Sequence, residues 1–221
     1  MSYQVLGLAG QQGAGKDYTF ETLRHMLGDT RRVMRMGFAD GVRREVSREV
    51  LTALGVTIED DAGMGTWVKP YTAGQRWVLQ QWGTEFRRAA DPQYWVDYGM
   101  QYIDGQAQDG DLWCITDVRF ANEAAAIGAL SGGKVALVSA DLDVRARRLG
   151  VTEVELAARS VHSSEVIDFT ADLLVHSSDG LVLDHRLLEW LGLMERGATL
   201  CIKCTFGVAH PFHDNGDTFS G

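Results

Sequence analysis

Residues 3–17, YQVLGLAGQQGAGKD, restrict the fold of this chain more than any other stretch. The apolar run ending at Ala9 reads as a buried strand. KDYTFETLRHML (16–27) sets Phe20, Leu23 and Leu27 at helical spacing, with Gly28 as a stop. Between the two lies Gly10-x4-Gly15-Lys16, the pattern of a loop whose backbone N–H groups cradle phosphates. The bare string arises by chance in about one chain in twenty of this size, so its weight comes from the strand before it and the helix after it. Glycine reaches backbone conformations closed to other residues, so successive N–H groups can face one anion. A helix N-terminus adds roughly half a positive charge at the same point. Gly10, Gln11, Gln12, Gly13, Ala14, Gly15, Lys16 and Asp17 are therefore expected around the phosphates of a nucleotide, with Lys16 spanning the β- and γ-phosphates. Asp17 stands where a Ser or Thr is usual. Its carboxylate either favours the first helical turn or holds Mg2+, and the two roles are compatible.

Beyond this unit, strands are expected at 32–38, 112–116, 134–140 and 172–177, and helices at 40–54, 72–90, 93–106, 120–130 and 181–193. Residues 55–66, acidic and Gly-containing, read as a loop. Alternating strands and helices imply a three-layer α/β fold, a central parallel sheet with helices on both faces. Residues 1–195 would form this domain, with an arginine-bearing lid at about 143–165, and 196–221 would be a tail.

Three further stretches carry chemistry. DLWCITDVRFANE (111–123) ends a central strand at Asp117, where a second magnesium-side acid would sit, with Arg119 facing the transferring phosphoryl. The plainer alternative has Asp117 capping a turn and Arg119 pairing with Glu123. YTAGQRWVLQQWGTEFRRAADPQYWVDY (71–98) brings Arg87, Arg88, Gln80, Thr84 and Trp95 forward as an acceptor pocket. Trp77 and Trp82 in the same stretch read as core. LDVRARRLGVTEVELAARSVHSSE (142–165) carries Arg145, Arg148 and Arg159, suited to a lid that closes over phosphoryl groups and excludes water. The alternative is a solvated helical face balanced by Glu153 and Glu155.

Together these stretches make the chain resemble the deoxynucleoside monophosphate kinases of tailed bacteriophages, within the P-loop kinase superfamily. The matching residues are Gly15-Lys16-Asp17; Phe38-Ala39-Asp40; Leu79, Gln80, Gly83, Thr84, Glu85, Arg88, Asp91, Trp95 and Val96; 117–123; and His162, Ser164 and Glu165. The resemblance covers about residues 3–190. It implies a P-loop kinase fold and transfer of the γ-phosphoryl of ATP, with Mg2+, to a deoxynucleoside 5′-monophosphate. In that reading Lys16, Asp17, Asp117 and Arg119 are catalytic, and Asp17 and Asp117 hold the metal. Arg145 and Arg148 would join the loop on ATP. Asp40, Gln80, Thr84, Arg87, Arg88, Trp95, Arg119 and Arg159 would shape the acceptor site. Tyr18 and Gly41 depart from the Thr and Pro usual at these places, which leaves base preference open.

Composition narrows the partners. A net charge of −9 argues against nucleic acid and acidic membranes as broad partners. No apolar run reaches the ~20 residues of a membrane span, and residues 1–10 lack a secretory signal. A cytoplasmic setting is expected, that of the host if the gene is a phage's, with small nucleotides as partners and a homodimer left open. In the tail, Cys201, Cys204, His210 and His213 have zinc-ligand chemistry. The Cys204–His210 gap is shorter than in zinc fingers, and a chance CxxC is the preferred account. Two other functions compete: a P-loop kinase acting on a modified base in DNA or on a small metabolite, and a non-catalytic nucleotide-sensing module.

Overall fold

A computed structural model describes residues 2–51, 71–159, 167–178, 181–183 and 185–193. The 55–66 loop, the end of the helix expected over 40–54, residues 160–165 and the whole tail, with Cys201, Cys204, His210 and His213, lie outside the described residues.

Strand β1 (Gln4–Ala9) is the centre of the sheet because nearly every residue is buried on both faces. Helix α1 (Lys16–Leu27) follows the Gly-rich loop and buries Thr19, Phe20, Leu23 and Leu27 along one stripe. Each large apolar side chain on that stripe contributes about 1.5–3 kcal/mol by leaving water. Then come β2 (Val33–Met36), α2 (Phe38–Glu45), α3 (Ala73–Gln80), α4 (Tyr94–Gln106), β3 (Leu112–Val118), α5 (Ala121–Gly128) and β4 (Gly133–Ser139). Helices α6 (Leu142–Leu149) and α7 (Glu153–Arg159), strands β5 (Leu173–His176) and β6 (Val182–Leu183), and α8 (His185–Trp190) complete the described chain.

Among the described residues the sheet has six strands in the order β2-β3-β1-β4-β5-β6. The first five run parallel. One core layer packs Leu6, Leu8, Phe20, Leu23, Cys114 and Leu187 on one face. The other packs Val5, Met36, Ile103, Trp113, Ile115 and Ile127. This is the expected α/β arrangement with three differences. The expected 181–193 helix begins as β6, which pairs antiparallel with β5. Strand β2 stops at Met36, because Gly37 caps α2, which therefore starts two residues before the expected 40. The expected 72–90 helix changes from α3 into a π-helical segment over Gln81–Arg88, and a second π-helical segment, Val46–Leu51, extends α2. Trp77, expected in the core, is 63% exposed, whereas Trp82 packs with Val42, Val46 and Trp95.

Cys114 sits in β3 at 0% exposure, and burial pushes its thiol up to about 12. Alkylation followed by peptide mapping should find Cys114 unmodified in the native protein at pH 8. Its labelling should be at least about a hundredfold faster in denaturant, because the thiolate is the reactive form. Rapid native labelling would contradict the placement of β3.

Candidate functional site: a phosphate loop beside two acidic turns

The loop between β1 and α1 lies where the sheet changes direction. From β1 the chain crosses over β3 to reach β2, and from β3 it crosses over β1 to reach β4. The loops after β1 and β3 thus diverge, and the crevice between them is the ligand position of open α/β sheets.

Three loop glycines have positive φ: Gly10 at 151°, Gly13 at 78° and Gly15 at 97°. Gly15 caps α1 in the left-handed conformation, and a Cβ there would stand 2.5 Å from Ser177 Oγ. Lys16 folds back across the loop, its Nζ donating to the carbonyls of Gly10 at 2.6 Å and Gln11 at 3.2 Å. Ser177, at the end of β5 and fully buried, donates to the Ala14 carbonyl at 2.5 Å.

Arg145 and Arg148, expected on a lid at about 143–165, lie on α6, where both side chains meet the loop. Arg145 is 6% exposed; its Nε donates to the Gln12 carbonyl at 2.9 Å and its Nη1 to Gln11 Oε1 at 2.5 Å. Arg148 Nη1 donates to the Gly13 carbonyl and to Ser177 Oγ, each at 3.1 Å, and its Nη2 to the Ser177 carbonyl. These arginines satisfy loop carbonyls and so fix the direction of the peptide units. Arg159 is the last residue of α7.

A second group of residues surrounds the end of β2. Asp117 accepts from the N–H groups of Phe38 at 2.8 Å and Ala39 at 2.9 Å, one on each oxygen, and so caps α2. This is the capping alternative to a metal role, although each carboxylate oxygen keeps a further lone pair. Asp40 accepts from the Gly37 N–H at 2.8 Å and pairs with Arg43. Arg35 lies 3.8 Å from Asp17 and 3.9 Å from Asp40, so one cation stands between the loop's acid and the α2 acid. Asp17 is 69% exposed at the side chain, and a hard cation could reach its oxygens from solvent. The donor chemistry therefore fits Mg2+ at Asp17. Among the described residues no group of three or more His, Cys, Asp or Glu is placed to hold a metal by itself. Beside α2 is a small cleft lined by Arg35, Gly37, Asp40, Arg44, Tyr98 and Tyr102. Sequence reasoning missed Arg35, Arg44, Tyr98 and Tyr102. For Arg35 the available signal was a charge inside an apolar strand, RVMRMGF.

The expected acceptor residues divide. Arg88 pairs with Glu123 at 2.7 Å and lies over the Phe120 ring, 4.0 Å from its centre. Arg87 pairs with Glu45 and stacks on Trp82, Phe86 and Tyr94, which is a wall position. Trp95, expected against a base, is 2% exposed, and its indole N–H donates to the Gly83 carbonyl at 2.8 Å. It packs with Tyr94 and Tyr98 as core, because its N–H finds a partner there and the ring is buried. Gln80, Thr84 and Arg119 are exposed. The Arg119 N–H donates to Glu123 Oε2 at 2.8 Å.

The fold and loop define an α/β protein with a glycine-rich loop at the sheet's switch point. No protein-family model matches the chain, and a search of curated proteins gives no match. Among solved structures the chain is similar to TT1252 from Thermus thermophilus, with a TM-score of 0.50 and 17% identity over 87% of this chain and 94% of that one. At this identity the likeness is one of fold alone. A weaker likeness, too low to build on, is to shikimate kinase from Acinetobacter baumannii in complex with shikimate. There the TM-score is 0.34 and the identity 13%, over 66% of this chain and 62% of that one. No described helix is long and apolar enough to cross a membrane.

Proposed function

We propose that the protein is a nucleotide kinase that moves the γ-phosphoryl of ATP onto the 5′-phosphate of a deoxynucleoside monophosphate, giving ADP and the diphosphate. The observation that carries this reading is the loop 10–17, with three positive-φ glycines and Lys16 folded across it, opening α1 beside the Asp117–Arg119 turn. Loop amides and the α1 N-terminus bind the donor phosphates. Lys16 leaves its two carbonyl partners for the β- and γ-oxygens. An acceptor phosphate oxygen forms the new bond to γ-phosphorus as the β–γ bridging bond breaks, and the electron pair leaves on ADP. Arg119, exposed at the turn, offsets charge on the transferring group. Magnesium, held by Asp17, would neutralise charge on the β- and γ-oxygens. The cleft with Arg35 and Arg44 beside Asp40 receives the acceptor, and Arg88, tied to α5 through Glu123, meets its phosphate. Charge neutralisation and positioning suffice for this transfer, so no dedicated base is required.

Incubation with ATP, Mg2+ and each nucleoside monophosphate, with ADP followed, tests the reading. ADP release with one or more dNMPs is the expected result. Turnover only with DNA or a metabolite, or nucleotide binding without turnover, would replace it with the corresponding alternative. Asp17→Ser should keep part of the activity, with its Mg2+ requirement shifted to about tenfold higher concentration, the factor equivalent to about 1.4 kcal/mol. Loss of the folded state in Asp17→Ser would instead assign Asp17 a structural task.

A further inference from the structure

We infer that Glu123 is a positioning residue that sets Arg88 for the acceptor's phosphate and ties it to the turn bearing Arg119. The inference rests on the proposed reading of Arg88 as a residue that meets the acceptor's phosphate. Glu123 is the third residue of α5 and is only 1% exposed. Its Oε2 accepts from the N–H groups of Arg119 at 2.8 Å and Phe120 at 3.1 Å, so one oxygen completes the helix cap and holds the turn after β3. Its Oε1 accepts from Arg88 Nη2 at 2.7 Å, across 35 residues of sequence. Capping needs only one neutral acceptor, and glutamine serves at this position as well as glutamate. Burying a full negative charge is costly unless a cation meets it. The second oxygen and its charge are therefore explained by Arg88, not by the cap.

Arg88 is held on two sides, by the carboxylate and by the Phe120 ring beneath it. A guanidinium carries five donors in a planar fork, and Glu123 engages one terminal nitrogen. Fixed at one edge, the fork presents the other without the rotamer entropy that a free arginine would lose on meeting a phosphate. Asn122 supplies a separate fastening between the same two segments, its Nδ2 donating to the Pro92 carbonyl at 2.8 Å and to Gln93 Oε1 at 2.6 Å. Mechanical docking of α5 and orientation of Arg88 are thus carried by different side chains.

The two tasks separate by experiment. Glu123→Gln keeps an oxygen for the Arg119 and Phe120 amides and loses the charge facing Arg88. Its KM for the dNMP should rise about tenfold, as expected for loss of one charge-assisted hydrogen bond. Its KM for ATP should stay within twofold, while the melting temperature falls by on the order of 10 °C because Arg88 loses its buried counter-charge. Arg88→Lys, which keeps the charge but not the fork, should show the same acceptor-only rise and serves if Glu123→Gln does not fold. Combining the two should add little, because they remove one interaction. Asn122→Ala should leave the acceptor KM within twofold. Glu123→Gln with an unchanged acceptor KM, or with both KM values rising together as in a general loosening, would overturn the inference while the kinase reading stood. A wild-type protein that transfers phosphate to no dNMP would overturn both.

Discussion

Lys16→Ala is expected to reduce phosphoryl transfer by about 10²–10³-fold, the effect of removing one preorganised donor from a developing anion. The same change should hardly touch the fold. In this structure Lys16 Nζ donates to two carbonyls of its own loop, those of Gly10 and Gln11, and its side chain is only partly buried. Losing those bonds costs about 1–2 kcal/mol. A chain of this size loses about 2–4 °C of melting temperature per kcal/mol. The contrast between a small thermal shift and a near-complete loss of ADP release is the informative result, read by a coupled assay beside a circular dichroism melt. Activity retained within tenfold would place the donor phosphates elsewhere in the molecule.

Gly10→Ala should produce the reverse pattern, with the fold failing first. Gly10 has φ 151°, and a Cβ there would lie 2.3 Å from the Val138 carbonyl oxygen on β4. The obstacle is backbone of a central strand, which cannot swing aside as a side-chain tip would. Strain at such a φ costs about 1–3 kcal/mol, and overpacking adds about 1–3 kcal/mol. The melting temperature should fall by on the order of 10 °C. Because the Gly10 carbonyl also receives Lys16, the surviving folded fraction should bind ATP weakly. A Gly10→Ala protein that melts within 2 °C of wild type and retains full turnover would mean that the loop does not pass over β4 in this way.

Some of the site was readable in advance because its causes are local. The apolar run 4–9, the glycine spacing and the Phe20–Leu23–Leu27 period each act within a few residues, and β1, the loop and α1 are where those signals put them. Other features depend on partners far away in the chain. Asp117 meets Phe38 and Ala39 across 79 and 78 residues, because β2 and β3 are sheet neighbours. Arg145 and Arg148 read in the sequence as part of a solvated face or a lid. Both reach loop carbonyls because β4 lies beside β1 and brings α6 under the loop, whereas Arg147 of the same helix stays exposed and pairs with Asp143. Leu181 and Leu183, apolar at helical spacing with Leu187 and Leu188, are buried at a strand edge instead. A two-residue strand carries too little periodicity to be distinguished from the start of a helix.

The chain alone determined a β-strand, a glycine-rich loop and a helix in immediate succession, and with them an alternating α/β architecture. Those features follow from backbone freedom at glycine and from the spacing of apolar residues, both short-range properties. Tertiary structure decided which charges meet: Arg35 between Asp17 and Asp40, Asp117 on α2, and Glu123 between Arg88 and the Arg119 turn. Such pairings are set by strand order, and strand order depends on how the whole set of apolar faces is buried at once.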